Sequence, residues 1–581
     1  MDTAMATDTA TGAAVKQPRV EGAGGGVCES AQRCRQPLKH RRAVWCSPLG
    51  QLSQFGLTLL ASLCAGAVFA QDAGGSDWGG AGSSLGSASG STSISRAGAP
   101  SSGGLRVTAR LGVTQTWTDN NTLSSINKDA ALITLVTPGI SVLSTTGPIK
   151  GSLDYSLNGV LYVKTSAPNR LQQNLAAQGS TELIKNFLSL DAQASIAQQV
   201  SSAFGQQTID NTLSNPNRTE VATVSVSPHV KGRVLGWAAY DARASFVETN
   251  AKDSIAGDSR NQTASLRFDG LGTGPLNWWT MGSGQQSSFK TGGKNMSAMA
   301  RVGLNYRPEP DLSFGINAGR ERNDYLSTGL AGSSNGKTNS STAGVDVSWS
   351  LSPRTKLTAD WQSHEYGDAH TFNFDHRMAR SSFRLLSSQS VSLGNGSNVG
   401  GLNSNYDLYF LQFASLEPDL VKRDLLVRNT LLSLGLNPNA VATSGFLTSS
   451  PSLQERQEAS FTWQGLRTTL TTTASRSSTS RLGAVVGSGD LAASGRIVQR
   501  GLTVSLTQRL TPISNATLTA SQTESQGDLA TQATTLKAIT ANWSSRLGLR
   551  TSISVGARFS EFVSLTSYRE RAVFANLVQQ F

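Results

Sequence analysis

A two-residue alternation of apolar and polar side chains runs through residues 105–581 of the sequence. Leu312, Phe314 and Ile316, for example, alternate with small or polar neighbours. The same period is found in residues 153–163, 240–246, 345–351, 357–361, 502–506 and 553–559. Because successive side chains of a β-strand point to opposite faces of the sheet, each segment predicts a strand with one apolar and one polar face.

The composition excludes the main helical classes. Charged residues make up only 15% of the chain, whereas soluble domains usually carry about 25%. Serine, threonine, asparagine and glutamine take their place, which is not the composition of a coiled coil or a helical bundle. No stretch reaches the roughly 20 consecutive apolar residues that a membrane-spanning helix needs. The composition leaves an all-β protein or a largely disordered one, and the two-residue alternation favours the all-β protein.

The connections between the predicted strands alternate in length. Short turns are predicted at residues 146–148, 308–310, 352–354 and 511–512, and longer polar loops at 118–129, 204–217, 249–259 and 323–338. Short turns at one rim, long loops at the other and strands of about ten residues are typical of an outer-membrane barrel. We expect a transmembrane antiparallel β-barrel of about 22 strands, with about 18 as the lower bound, and both ends on the periplasmic side.

The first 104 residues have a different character. An apolar run at residues 55–70 has the length of a signal-peptide core, although a short membrane anchor is an alternative. Small residues before Ala70 predict export and cleavage between Ala70 and Gln71. All four cysteines precede this point, so the mature chain would contain no disulfide. Residues 1–70 are therefore interpreted as a leader and signal peptide, and residues 71–104 as a flexible Gly/Ser-rich linker.

The C-terminal segment resembles the assembly signal of bacterial outer-membrane barrels. Val573, Ala575, Leu577 and the terminal Phe581 lie on one face of a predicted last strand. Gln579 departs from the pattern, because an apolar residue is usual at that position. The resemblance implies recognition by the barrel assembly machinery.

The alternation stops between residues 405 and 450. An aromatic run and a proline-initiated segment at residues 415–419 predict a helix of four to five turns. This insert would join a strand near 382–394 to one near 453–464 at the extracellular rim. The insert is interpreted as a loop that packs its own apolar face. The alternative hypothesis is a lid or docking helix, because so short a helix is marginal alone in water. Its predicted buried residues are Leu425 and Leu431, and its predicted exposed cations are Lys422, Arg423 and Arg428.

The sequence predicts no enzyme, no cofactor and no catalytic or metal site. Residues 270–275 are glycine-rich but have neither a Walker lysine nor dinucleotide spacing. His364, His370 and His376 lie around one predicted loop, where a polar rim is favoured over a metal site. The formal net charge of +12 favours anionic partners such as acidic polysaccharide or lipopolysaccharide. An exported chain without a basic cluster is not expected to bind nucleic acid.

Several segments resemble the PEP-CTERM-system-associated outer membrane protein family, which is found beside exosortase and exopolysaccharide genes. They are residues 116–120, 151–162, 169–171, 188–195, 417–419, 445–447 and 454–459. The resemblance covers most of residues 105–581 and implies a barrel tied to exopolysaccharide production or export, with exopolysaccharide-export proteins as partners. It carries over no catalytic residue. A general porin and a non-transporting anchoring barrel remain the alternatives from the residues alone.

Overall fold

Twenty-two antiparallel strands form one sheet in the computed structural model of the chain. The structure describes residues 104–144, 146–163, 165, 167–252, 254, 257–291, 293–324, 338–393, 427, 445–483 and 489–581. The strands are β1 (Leu105–Thr118), β2 (Ala131–Ser144), β3 (Ile149–Val163), β4 (Arg170–Ile184), β5 (Leu188–Val200), β6 (Arg218–Val234), β7 (Ala238–Ala251), β8 (Ser259–Gly270), β9 (Leu276–Phe289), β10 (Gly293–Glu309), β11 (Leu312–Asn323), β12 (Thr338–Ser352), β13 (Thr355–His364), β14 (Gly367–Arg377), β15 (Ser381–Ser392), β16 (Ser452–Gln464), β17 (Thr468–Arg481), β18 (Arg496–Thr511), β19 (Ser514–Gln526), β20 (Ala533–Arg546), β21 (Thr551–Val563) and β22 (Tyr568–Gln580).

The sheet closes on itself. Each strand pairs with its neighbours in the chain, and β1 pairs with both β2 and β22. The closing register runs from Arg110 opposite Gln580 to Thr118 opposite Ala572. Closure leaves no sheet edge unpaired along this seam, as a barrel in a bilayer requires. The predicted fold class and the predicted number of about 22 strands are both confirmed.

The two rims differ in their connections. Both described ends of the barrel and turns such as residues 353–354 and 512–513 lie at one rim, here called the short-turn rim. Loops such as residues 119–130 and 201–217 lie at the other, here called the long-loop rim. The predicted alternation of connection lengths holds with two exceptions at the long-loop rim: residues 290–292 join β9 to β10, and residues 365–366 alone join β13 to β14. Periplasmic turns of outer-membrane barrels are short, so the short-turn rim is the periplasmic one.

The two faces of the sheet carry different side chains, as the alternation predicted. On β11, Phe314 and Ile316 are 43% and 60% exposed on the outside, while Asn317 and Glu321 are buried on the inside. An apolar outer band around a closed, hydrogen-bonded sheet matches the hydrocarbon core of a bilayer. The protein is therefore an outer-membrane β-barrel.

Little helix is present in the described part of the chain. A single turn, α1 (Asp490–Ala493), lies between β17 and β18. Val427 is helical and fully buried. None of the helices among the described residues is long and apolar enough to cross a membrane.

Several predictions concern residues outside the described ones. They are the leader and linker, with the cleavage site at Ala70 and Gln71, and the insert residues Lys422, Arg423, Leu425, Arg428 and Leu431. The strands that flank the insert are described. They begin and end close to the predicted positions, at Ser381–Ser392 and Ser452–Gln464.

Candidate functional site: the lumen and its in-folded loop

Residues 201–217, which connect β5 to β6, fold into the barrel and are here called the in-folded loop. Tyr568 on β22 donates a hydrogen bond of 2.6 Å from its hydroxyl to the Gln207 carbonyl oxygen. Tyr162 on β3 donates one of 2.5 Å to the Thr212 carbonyl oxygen. Arg218 also donates to a carbonyl oxygen of this loop. The loop is thus held by side chains from strands on both sides of the seam.

An ion-pair cluster anchors the middle of the in-folded loop. Arg558 on β21 donates to the Asp210 carboxylate at 2.7 Å and to the Glu570 carboxylate of β22 at 2.8 Å. Glu570 is fully buried and also accepts from Thr118 and Ser560. Burial works to raise the pKa of the Asp210 carboxyl, but the Arg558 guanidinium outweighs it and holds that pKa below its ordinary value. At neutral pH the Asp210 carboxylate is therefore ionised, and its ion pair with Arg558 holds the loop in place.

An apolar cluster lies inside the barrel between this anchor and the long-loop rim. Leu213 of the in-folded loop and Leu123 of the loop 119–130 pack on inward side chains of five strands. These inward side chains are Ala131, Ile133, Val160, Leu536, Phe562 and Tyr568. Phe562 is 1% exposed and stacks on Tyr568 with ring centroids 5.6 Å apart. An apolar cluster on the polar face of a barrel has no role facing water, so these residues serve to hold the loops.

A second contact joins the in-folded loop to other connections of the long-loop rim. Ala203 packs with Leu491 of α1 and Ile497, and Phe446 lies against this group. The Asp490 carboxylate accepts from the Ser202 hydroxyl at 2.8 Å and from the Ala203 backbone N–H at 2.5 Å. Burial nevertheless raises the pKa of Asp490 above its ordinary value. The loops of this rim thus form one packed layer over the part of the lumen that they cover.

The rest of the described lumen wall is mainly polar, with a few inward apolar side chains such as Trp279 and Leu386. Several of its charged groups form pairs between strands, such as Arg110 with Asp154 at 2.6 Å and Arg243 with Asp191 at 3.2 Å. A Cβ at Gly315 would collide with the Asp346 carboxylate, so glycine there lets this side chain lie flat on the wall. Hydroxyl, amide and paired charged groups can bind water and hydrophilic solutes.

The three clustered histidines do not meet. His364 points into the lumen and lies 2.6 Å from Glu321. His370 is the cross-strand partner of the outward Trp361 and contacts Ser387 on the outside. His376 shares that outward face and contacts Thr355. Within the described ranges, no cluster of metal-ligating side chains is present.

The predicted assembly residues occupy the outer face of the last strand. Val573 and Leu577 are 51% and 45% exposed there, and Ala575 lies between them. Phe581 lies just beyond β22, and its backbone N–H donates to the Ala109 carbonyl oxygen at 2.9 Å. The arrangement places all four side chains where an assembly factor could bind before the seam closes; the recognition itself stays a prediction.

Deletion of Phe581 is expected to lower the yield of folded protein in the outer membrane several-fold, because the last strand would lose its terminal aromatic and its bond to Ala109. The measurement is the heat-modifiable band shift of outer-membrane fractions on gels. The Phe581→Tyr variant keeps an aromatic ring and serves as the control. Equal yields for the deletion and the control would contradict the assembly signal.

Sequence reasoning missed the residues that dock the in-folded loop. It placed Arg558 on the polar face of a strand and residues 204–217 in a polar loop, but did not connect them. One signal was present in the sequence. Phe562 is a large apolar side chain on the otherwise polar face of its strand, and Tyr568 lies on the same face of the next strand, which indicates packing inside the barrel.

No protein-family model matches the chain, and no curated protein matches it. Its fold is similar to solved outer-membrane proteins. The FrpB iron transporter from Neisseria meningitidis (F5-1 variant) is 11% identical, with a TM-score of 0.44 over 82% of each chain. The siderophore receptor PirA from Pseudomonas aeruginosa is 10% identical, with a TM-score of 0.39 over 82% of this chain and 80% of that one. A loop L8 deletion mutant of OmpT from Vibrio cholerae is 7% identical, with a TM-score of 0.29 over 82% of this chain and 100% of that one.

Proposed function

We propose that the protein is an outer-membrane conduit for exopolysaccharide, related to the PEP-CTERM-system-associated barrels that its sequence resembles. The observation that carries the proposal is the polar lumen wall of a closed 22-strand barrel. Strands about 4.8 Å apart and tilted by about 40° give a backbone diameter of about 40 Å at this strand number. A sugar chain is far narrower than this, so a partly covered lumen would still admit one.

The chemistry of the wall supports a sugar polymer as the solute. Serine, threonine, asparagine and glutamine side chains line the inner face, among them Thr116, Ser156, Gln172, Ser227 and Asn261. Hydroxyl and amide groups exchange hydrogen bonds readily with sugar hydroxyls and with water. A wall without deep apolar pockets would let a hydrated chain slide along it rather than hold it.

The in-folded loop supports a restricted conduit rather than an open pore. It covers the sector of the lumen between β20 and β3 and is held by the Arg558 cluster. The same observation favours the second candidate, a barrel with a filled lumen that anchors other proteins without transport. The proposal includes two partners that other outer-membrane barrels share. The barrel contacts lipopolysaccharide, and the barrel assembly machinery inserts it into the membrane.

Replacing residues 203–215 by a short Gly-Ser linker is expected to raise single-channel conductance in planar bilayers at least about two-fold, because the loop occupies lumen cross-section. The control is the same replacement of residues 564–567, a rim connection held by its own Ser564–Ser567 hydrogen bonds. Cells that lack the protein should also secrete less exopolysaccharide. If the unaltered barrel and both loop replacements show no conductance, and cells that lack the protein secrete normal amounts of exopolysaccharide, the anchoring barrel is favoured.

A further inference from the structure

The short-turn rim of the lumen carries a ring of basic side chains. They belong to strands spread around the barrel and lie in the first or last few residues of each strand. The ring consists of Lys150, Lys231, Arg233, Lys356, Arg509 and Arg546. The ring therefore surrounds the periplasmic mouth rather than marking one side of it.

The register places these side chains on the inner face. Lys231 is the cross-strand partner of Asp241, which pairs inside the barrel with the buried His229 at 2.8 Å. Arg546 lies two residues from Ser544, whose partner Ser554 is buried inside. Lys150 occupies the same face as Asp154, the lumen partner of Arg110. All six ring residues are exposed, so they are available to a ligand in the mouth.

The ring has a surplus of positive charge. No ring side chain forms an ion pair with any residue that the structure describes. Nearby carboxylates on this face are already engaged, since Asp269 pairs with Arg267 and Asp375 with Arg384. Glu182 is an exposed acidic residue of this end without such a partner.

We propose that this ring captures a carboxylated polysaccharide at the periplasmic mouth and feeds it into the lumen. The inference rests on the proposed conduit and names its substrate class. Positive charges around an opening attract a polyanion from a distance and raise the rate at which it enters. Isolated cations spaced around a ring hold each carboxylate weakly, which suits a chain that must move on. An acidic protein is a poorer fit, because the ring side chains face inward, where a flexible chain reaches them and a folded surface does not.

The test is the binding of a labelled oligogalacturonate to the folded, detergent-solubilised barrel, with neutral dextran as the second probe. The ring variant combines Lys150→Gln, Lys231→Gln, Lys356→Gln and Arg546→Gln. We expect it to bind oligogalacturonate more weakly by on the order of ten-fold, and the binding by the unaltered barrel to weaken with added salt. The control variant removes the same charge from exposed positions away from the mouth, through Lys252→Gln, Lys294→Gln, Arg320→Gln and Arg322→Gln, and should bind as the unaltered barrel does.

Several outcomes would overturn the proposal. They are equal affinity of the ring and control variants, no binding of oligogalacturonate by the unaltered barrel, and equal binding of dextran. The heat-modifiable band shift shows whether the combined variant folds. If it folds poorly, the single variants Lys231→Gln and Lys356→Gln are measured instead, and each is expected to lose part of the affinity for oligogalacturonate. Binding does not depend on conductance. A barrel that binds through the ring but never conducts would therefore refute the conduit and leave the capture site standing.

Discussion

Replacing Arg558 by methionine is expected to lower the free energy of unfolding by about 3–5 kcal/mol, the usual cost of removing one partner of a buried ion pair. Arg558 is 8% exposed, and its two carboxylate partners, Asp210 and Glu570, would be left inside the barrel without a cation. The measurement is urea unfolding of the protein in lipid vesicles. Chymotryptic cleavage within the in-folded loop, after Phe204 or Leu213, should also become faster, because the loop loses its anchor.

The neighbouring strand offers a matched control for this variant. Arg569 pairs with Glu561 at 2.7 Å on the outer face, but it is 69% exposed. An exposed pair contributes only about 0–1 kcal/mol, so Arg569→Met should leave the barrel almost as stable as before. A triple variant with Arg558→Met, Asp210→Asn and Glu570→Gln should recover part of the lost stability, since no unpaired charge remains buried. Similar losses for the two arginine variants would refute the internal anchor.

Replacing Phe562 by alanine is expected to destabilise the barrel by about 3–5 kcal/mol, as for other large-to-small changes in a packed core. The side chain is 1% exposed and stacks on Tyr568, so its loss would leave a cavity beside the in-folded loop. Urea unfolding again provides the measurement. Conductance should rise as well, because Leu213 would lose the surface on which it packs.

Phe559 on the same strand is the control for Phe562. It faces outward and is 36% exposed, so alanine there changes a lipid-facing surface without creating an internal cavity. We expect a smaller loss of stability and no change in conductance. If Phe559→Ala costs as much as Phe562→Ala, the apolar cluster is not a core.

Most of the barrel could be predicted from the sequence because its determinants are local. Leu312, Phe314 and Ile316 alternate with polar or small neighbours, and this alone fixes which side chains of β11 face lipid. Short turns at proline-containing segments such as residues 352–354 fix where strands reverse. The number of strands followed from the length of chain that each strand and connection requires. The short connection at residues 365–366 was not predicted, because nothing in the local sequence determines how long a connection at the long-loop rim must be.

The candidate site could not be predicted in the same way, because its contacts are not local. Asp210 and Arg558 are 348 residues apart, and no periodicity relates a loop to a strand at that separation. Their meeting depends on the closure of the barrel, which brings β21 and β22 beside β1 to β4. The ring of cations at the short-turn rim was also hidden, since its members are scattered singly along the chain and converge only in the closed barrel.

The seam between β1 and β22 has a consequence for the kinetics of folding. Its hydrogen bond from Thr118 to Glu570 joins residues 452 positions apart, so the sheet cannot seal until nearly the whole barrel has been delivered. Contacts of such long range fold slowly, and open strand edges are prone to aggregation during the delay. We therefore expect the interval before the seam closes to be the stage at which the chain is most exposed to aggregation. Substitutions that weaken the seam should lengthen this interval first.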